Sequence, residues 1–495
     1  YQQTNLVRTT DQIFSYPQPM SAMPSPPMVR VVSSSTVKPP PRPRERIPLT
    51  SWDASMLSSN YIQKGLLFHR PTSCSPVNVA DHLAAALGDA LVHYYPIAGR
   101  FATEQHRDEH TGAVVGCSVH VDCAGQGVEV VHAVADGVTM ADVLPRDADV
   151  PRGVLAQFFQ LTHAVNYGGQ EQPLFAVQVT DLADGVFVGF AYNHALSDGT
   201  AFWDFVNYWA ALARARLGLE AVPPAPKPSF ERWSPDGGAA GPAVLPCADV
   251  SELIERAPPL QLRERMLHFS AESLEALKER AREELLAAGD TAGAAALTKF
   301  QALSSLLWRC ITRARRLAPE QETTCRAAIN NRARLRPQLP QEYFGNTIYA
   351  IGTDSTRAAD LLERGHGWAA AAVGRAVAAH TDASIRARVA AWTARPMVYT
   401  HRFFDPTGTM MGSSPRFDMY GCDFGWGSPV AARSGMANKF DGKTSLYPGR
   451  EGAGSIDAEL TLSPDNMAAL EEDDEFWAAV TPDAPVPSAP EKKAT

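Results

Sequence analysis

The sequence is short of cysteine, of membrane-length apolar runs and of positive charge, and each shortage removes a class of protein. No stretch reaches the roughly 18 consecutive apolar residues that a spanning helix needs. The Ala-rich GWAAAAVGRAVAAH is interrupted by Arg375 and reads as a helix of a water-soluble domain. The seven cysteines, Cys74, Cys117, Cys123, Cys247, Cys310, Cys325 and Cys422, are odd in number and include no C-x-x-C pair. That argues against a disulfide framework or a zinc ribbon and fits a reducing compartment. Acidic residues outnumber basic ones, 54 to 45, for a net charge of −9, so no nucleic-acid surface is expected. Three signature loops are missing too: the G-x-S-x-G elbow, the Walker loop and the G-x-G-x-x-G fingerprint. A serine hydrolase, a P-loop NTPase and a Rossmann dehydrogenase lose support with them.

What is there suits a globular protein. Hydrophobic residues make up 45% of the 495 positions and charged ones 20%, at a length that predicts two domains. Residues 1–27 are rich in Pro, Ser and Gln and read as an extension outside the fold, either a tag or an over-extended start with a natural beginning at Met28. A plastid transit peptide is the alternative. VRVV reads as a strand ended by the Pro run at 39–43. Residues 81–94 place Leu83, Leu87, Leu91 and Tyr94 on one helical face, with Asp81 as cap. AVVGCSVHVDCAG and GVEVVHA alternate as strands, and LFAVQVTDLADGVFVGFAYNHA reads as strand, turn, strand. GTAFWDFVNYWAALARARLG is an amphipathic helix ending in Gly. Residues 219–262 are Pro/Gly-rich and predict a crossover between domains at 28–218 and 263–480. Beyond it LRERMLHF predicts a strand. Ser270 then caps a helix with Leu274, Leu277, Ala281 and Leu285 inward, and a further helix opens at Thr298. Residues 481–495 read as a disordered tail.

Two motifs compete for chemistry. HRDEH, His106 to His110, matches a metalloprotease pattern, but it ends in Thr111-Gly112 between two strand-like runs and reads as a solvated hairpin loop. H-x-x-x-D occurs three times, at His132–Asp136, His194–Asp198 and His401–Asp405. With 13 histidines roughly one match is expected by chance, so context must choose. His401 runs into a Pro turn and His132 ends a strand beside a polar loop. His194 leaves a buried strand, meets the small residues Ser197 and Gly199, and is followed by Phe202, Trp203, Phe205, Tyr208 and Trp209. A histidine placed so can be a general base, or a satisfied buried side chain. GCDFGWG, 421–427, sets Asp, Phe and Trp among three glycines and implies a tight backbone with a buried, structural carboxylate at Asp423.

Taken together, LVHYYPIAGRF, NHALSDG, RARLRPQLPQEYFGN and DFGWG resemble, in order, the BAHD acyltransferases of plants. VVSSSTVKPP, YIQKGLLF and ANKFDGKTSLYPGREGAGSIDAEL look like the subgroup often labelled uncharacterised acetyltransferases. The resemblance spans Val29 to about Val480. It implies an α/β fold of two similar-sized domains, each a mixed sheet with helices, of the chloramphenicol-acetyltransferase kind. A long crossover loop joins them and an active-site channel lies between. It implies an acyl-CoA co-substrate, no permanently bound cofactor or metal, a small-molecule alcohol or amine acceptor, and a cytoplasmic monomer. A non-catalytic accessory relative and a lyase of an acyl-amide using the same histidine are the alternatives. Dependence on coenzyme A separates the three.

The resemblance selects His194 as base. It gives Asp198 a structural role, paired with Arg332 or Arg334 rather than orienting the imidazole as in a triad. Gly199, Asp423, Gly425, Trp426 and Gly427 become scaffold. Hydroxycinnamoyl transferases place Thr and Trp before the last motif, where this chain has GSSPRF, so Ser413 or Ser414 becomes the oxyanion donor. The arginine that grips shikimate in those relatives has no clear counterpart. Thr298 and Lys299 open a helix with free amides and a cation, either a coenzyme A phosphate site or an ordinary capped helix.

Overall fold

Alternating apolar residues become strands, and the strands collect into two large sheets. The computed structural model describes residues 29–71, 78–238, 240–256 and 258–482. The expectations for residues 1–28 and 483–495, and Cys74, lie outside the described residues. The N-terminal half contributes β1 (Arg30–Val37), β2 (Arg46–Pro48), β3 (Ile62–His69), β4 (Arg100–Arg107), β5 (Val114–Asp122), β6 (Val128–Val134), β7 (Phe175–Asp181) and β8 (Gly185–Tyr192). The other half contributes β9 (Arg263–Phe269), β10 (Glu322–Thr323), β11 (Cys325–Asn330), β12 (Ile348–Gly352), β13 (Thr356–Arg357), β14 (Thr409–Ser413), β15 (Ala431–Ser434), β16 (Lys443–Pro448) and β17 (Ile456–Leu462).

The first sheet runs β1-β6-β7-β8-β3-β15 and the second β12-β11-β14-β16-β17-β9. Both are mixed. β6 and β7 pair in parallel in one, and β14 is parallel to both β11 and β16 in the other. A two-domain α/β architecture results, as expected. The edge strand β15 was not foreseen. It comes from the C-terminal half yet pairs with β3, Ala432 opposite Leu66. The helices Val79–Ala90 and Gly199–Arg216 cover the first sheet's core, and Ala271–Ala287 and Lys299–Ala314 the second. Among the described residues no helix is long and apolar enough to cross a membrane.

Local details follow the sequence with one correction. The helix expected over 81–94 spans Val79–Ala90, because Asn78 rather than Asp81 caps it, accepting the Ala80 N–H at 2.9 Å. Pro96 then starts a separate turn, Tyr95–Ala98, that carries Tyr94 off the helix. Leu274, Leu277, Ala281 and Leu285 are the buried face of their helix. Among its described residues the segment 219–262, expected as a crossover, holds one short helix, Val250–Leu253, and is tacked down by Ser229 against Tyr343 and Leu245 against Cys117. Arg232 within it is 5% exposed and joins the halves, donating to the carbonyls of Pro48 (3.1 Å) and Phe344 (2.6 Å).

Candidate active site

His194 sits where β8, buried along its whole length, runs out into a turn. Asn193 builds the turn: its side chain accepts the Ala195 N–H at 3.0 Å and donates to the Asn166 carbonyl at 2.8 Å. The His194 backbone is clamped on both sides. Its N–H donates to Asn166 Oδ1 at 2.8 Å, and its carbonyl accepts Asn346 Nδ2 at 2.7 Å. Asn346 is in turn fixed by buried Asp53, which accepts its backbone and side-chain nitrogens at 2.9 and 3.0 Å. The imidazole Nδ1 is enclosed, with the backbone carbonyls of His194 and Ser197 beside the ring. Burial is the largest influence and lowers the ring's pKa; the backbone carbonyl of His194, the Asp198 charge and the Ser197 carbonyl oppose it, and the Lys443 charge adds a smaller push downward. A neutral imidazole with a free ring nitrogen can take a proton.

Asp198 does not orient that ring. It caps the helix Gly199–Arg216, its Oδ1 accepting the Thr200 and Ala201 N–H groups at 3.1 and 3.3 Å. Arg332 grips it with both terminal nitrogens, at 2.7 and 3.1 Å, and the Thr347 N–H donates to Oδ2 at 3.0 Å. The pair is sealed, at 0% and 1% side-chain exposure. Arg334 is elsewhere, donating to the carbonyls of Val377 and His380 at 3.0 and 2.8 Å.

The other histidine motifs have different partners. His132 bonds Asp181 at 2.8 Å, not Asp136. His401 faces Glu255 at 3.7 Å, while Asp405 accepts the Thr324 hydroxyl at 2.7 Å. In HRDEH, His106 lies on β4 against Ser118 at 2.7 Å, and Asp108 closes the hairpin by accepting the His110 and Thr111 N–H groups. Among the described residues one cluster, Cys310, Asp473 and Glu475, has metal-ligand spacing, but Arg313 already pairs with both carboxylates.

Ser413 ends β14 with φ of 61°, and the Ser414 hydroxyl accepts the Arg416 N–H at 3.2 Å. The segment after them reaches the head of the helix Gly199–Arg216: a side chain at Gly199 would meet the Phe417 ring at 2.8 Å. Thr298 caps Lys299–Ala314 in a reciprocal box with Gln301, and Lys299 reaches the Ala271 carbonyl at 3.3 Å and Glu275 at 3.5 Å. Asp423 is half-buried, not buried as expected, because its work is local: Oδ1 accepts the Gly425 and Gly427 N–H groups at 2.7 and 2.9 Å. The turn it closes inserts Phe424 beside Trp209 (5.0 Å between ring centres) and Trp426 beside Phe68 (5.8 Å). The aromatic residues after His194 fill the core rather than a pocket: Phe202, Trp203, Phe205 and Trp209 are at most 3% exposed.

Sequence reasoning missed Asn166, Asn193, Asn346, Asp53 and Lys443. Asn346 closes the quoted EYFGN, so a signal existed for it. Asn166 and Asp53 act from segments with none.

The transferase-family model matches residues 27–477. The chain is 32% identical over 464 residues to an uncharacterised acetyltransferase of Arabidopsis thaliana, covering 90% of this chain and 98% of that one. It is 33% identical over 474 residues to the BAHD acyltransferase DCR of the same plant, covering 90% and 92%. The chain belongs to the BAHD acyltransferase family. Its fold is that of vinorine synthase, at TM-score 0.69 and 19% identity over 92% of this chain and 99% of that one. It is also that of F. graminearum TRI101 complexed with ethyl coenzyme A, at 0.66 and 17% over 88% and 99%.

In this BAHD chain the four stretches that carry the resemblance converge on one helix, Gly199–Arg216. Tyr94 packs on Phe205 at 5.3 Å. Asp198 begins the helix and is held by Arg332. Phe424 packs on Trp209, and Arg214 donates to the Asp423 carbonyl.

Proposed function

We propose that the protein transfers an acyl group from an acyl-CoA thioester to a hydroxyl or amine of a small plant metabolite, with His194 as general base. The observation that carries this reading is the placement of His194, half-buried on a strand-end turn of a BAHD fold and clamped through its backbone by Asn166 from one half and Asn346 from the other. The imidazole takes the proton of the acceptor O–H or N–H as the acceptor attacks the thioester carbonyl. The tetrahedral oxyanion collapses, the C–S bond breaks, and the proton passes to the leaving sulfur. Ser413 or Ser414 is the proposed oxyanion donor, and the amides of Lys299 and Phe300, with the Lys299 ammonium, the proposed phosphate contact. We further propose that the enzyme acts as a cytoplasmic monomer, with coenzyme A entering the channel between the halves from one face and the acceptor from the other.

The test is free-thiol release from a panel of acyl-CoAs with mixed alcohols and amines. His194→Ala should lose at least about 10²-fold, the lower end of a general base's usual contribution. The base works as the neutral form. Since burial lowers its pKa below the ordinary 6.5, wild-type kcat/KM should fall on acidification only below that value. Thiol release unchanged in the variant, or an acid limb above 6.5, would remove His194 from the mechanism.

A further inference from the structure

The second sheet turns one face toward the N-terminal half. The register of β16 and β17 sets Lys443, Ser445 and Tyr447 beside Thr461, Glu459 and Asp457. From β3 of the other sheet, Lys64 donates to the Tyr447 hydroxyl at 2.7 Å, and that hydroxyl donates to Glu459 at 2.7 Å. Lys439 bridges Glu459 and Glu264, and Glu264 also takes Arg152 at 2.7 Å. Lys439 and Arg152 thus share two carboxylates, with Lys64 reaching one of them through Tyr447. Lys443 is left out of the sharing. Among the described residues its ammonium meets no carboxylate within ion-pair distance and donates to one backbone carbonyl, Asn438, at 2.6 Å.

Its stem lies beside β14: a Cβ at Gly412 would stand 3.5 Å from Lys443 Cε, an ordinary packing distance. Gly412 is one residue from Ser413. Lys443 is half-buried, and its charge is felt at the His194 imidazole. Burial and Lys439 push its pKa down to about 8 against the pull of Glu459, which is too far to form an ion pair with it. Keeping a desolvated ammonium beside a reaction centre is costly unless an anion joins it.

We propose that Lys443 is a specificity residue that pairs with a carboxylate carried by the small-molecule substrate, so that this site selects acidic metabolites. The inference rests on His194 being the reaction centre. The carboxylate can belong to the acceptor or to the acyl group, and the experiment separates the two. Acetyl-CoA and malonyl-CoA are each tested with hydroxy acids, amino acids and their methyl esters, on wild type, Lys443→Met and Lys443→Arg. Wild type should prefer the carboxylate-bearing member by at least about tenfold in kcat/KM. An acceptor carboxylate shows as acid over ester, an acyl carboxylate as malonyl over acetyl. Lys443→Met should erase the preference by raising KM for the carboxylate-bearing partner far more than for the neutral one, while Lys443→Arg keeps the preference. Equal slowing of neutral and anionic partners by Lys443→Met would overturn the proposal in favour of an oxyanion or folding role, and no change in the ratio would overturn it outright. Should no pair turn over, calorimetric binding of the same acids and esters decides independently of acyl transfer. Tighter binding of acids by wild type than by Lys443→Met supports the proposal, and no difference between acids and esters overturns it.

Discussion

Asp198 shows how a residue in a catalytic-looking motif can be spent on the scaffold. Its two oxygens accept from Thr200, Ala201, Thr347 and both arms of Arg332, which leaves no acceptor facing His194. Removing one side of a buried ion pair strands the other, at a typical cost of about 3–5 kcal/mol. Loss of the helix cap adds roughly 1 kcal/mol. Asp198→Ala should therefore lower the unfolding free energy by about 3–5 kcal/mol in chemical denaturation, since Arg332 keeps three carbonyl and hydroxyl partners that soften the loss. Asp198→Ala with Arg332→Ala together should cost clearly less than the two single losses added, because each alone strands a charge. A variant of unchanged stability and low turnover would return Asp198 to the catalytic group.

At the scale of elements, the turn after Cys422 works by backbone shape. Gly425 and Gly427 have φ of 119° and 105°, values that favour glycine. A side chain at Gly425 would come within 2.3 Å of Leu217 Cδ1, but Leu217 is 40% exposed and can turn away. At Gly427 nothing lies within 4 Å. The conformational term thus dominates at both, and Gly425→Ala and Gly427→Ala should each cost about 1–3 kcal/mol. Thermal and chemical melting of the two variants measures this; a cost at Gly425 alone would make the Leu217 contact the cause, and none at either would deny the strain. Elements with strong periodicity were legible in the sequence. The helix Ala271–Ala287 buries the four residues its spacing picked out, because one face meets one sheet. β8 and the His194 turn were legible because a buried strand is a continuous apolar run. The clamps on His194 were not, since Asn166 and Asn346 act across 28 and 152 residues and a lone Asn carries no periodic signal. The strand β15 was not legible either, being four residues without alternation whose pairing depends on β3 leaving its edge open.

That short strand decides how the whole molecule should unfold. Two domains joined by a crossover ordinarily melt as separate units. Here the first sheet is incomplete without Ala431–Ser434, and Phe424 and Tyr447 belong to the N-terminal core. The sealed Asp198–Arg332 pair and Arg232 add polar ties, and each would be left unsatisfied if one half opened first. The N-terminal half stripped of these segments would expose a strand edge and several large side chains, at a cost greater than either half's marginal stability can carry. Hydrogen exchange at increasing urea should therefore show β3 and β8 losing protection at the same denaturant concentration as β16 and β17. If β3 and β8 opened at clearly lower urea while β16 and β17 stayed protected, the halves would be separable folding units and the exchanged strand a peripheral decoration. Coincident opening makes the seam that holds His194 and Lys443 one rigid body with the rest, so that substitutions far from it in either half reach the site through global stability rather than local motion.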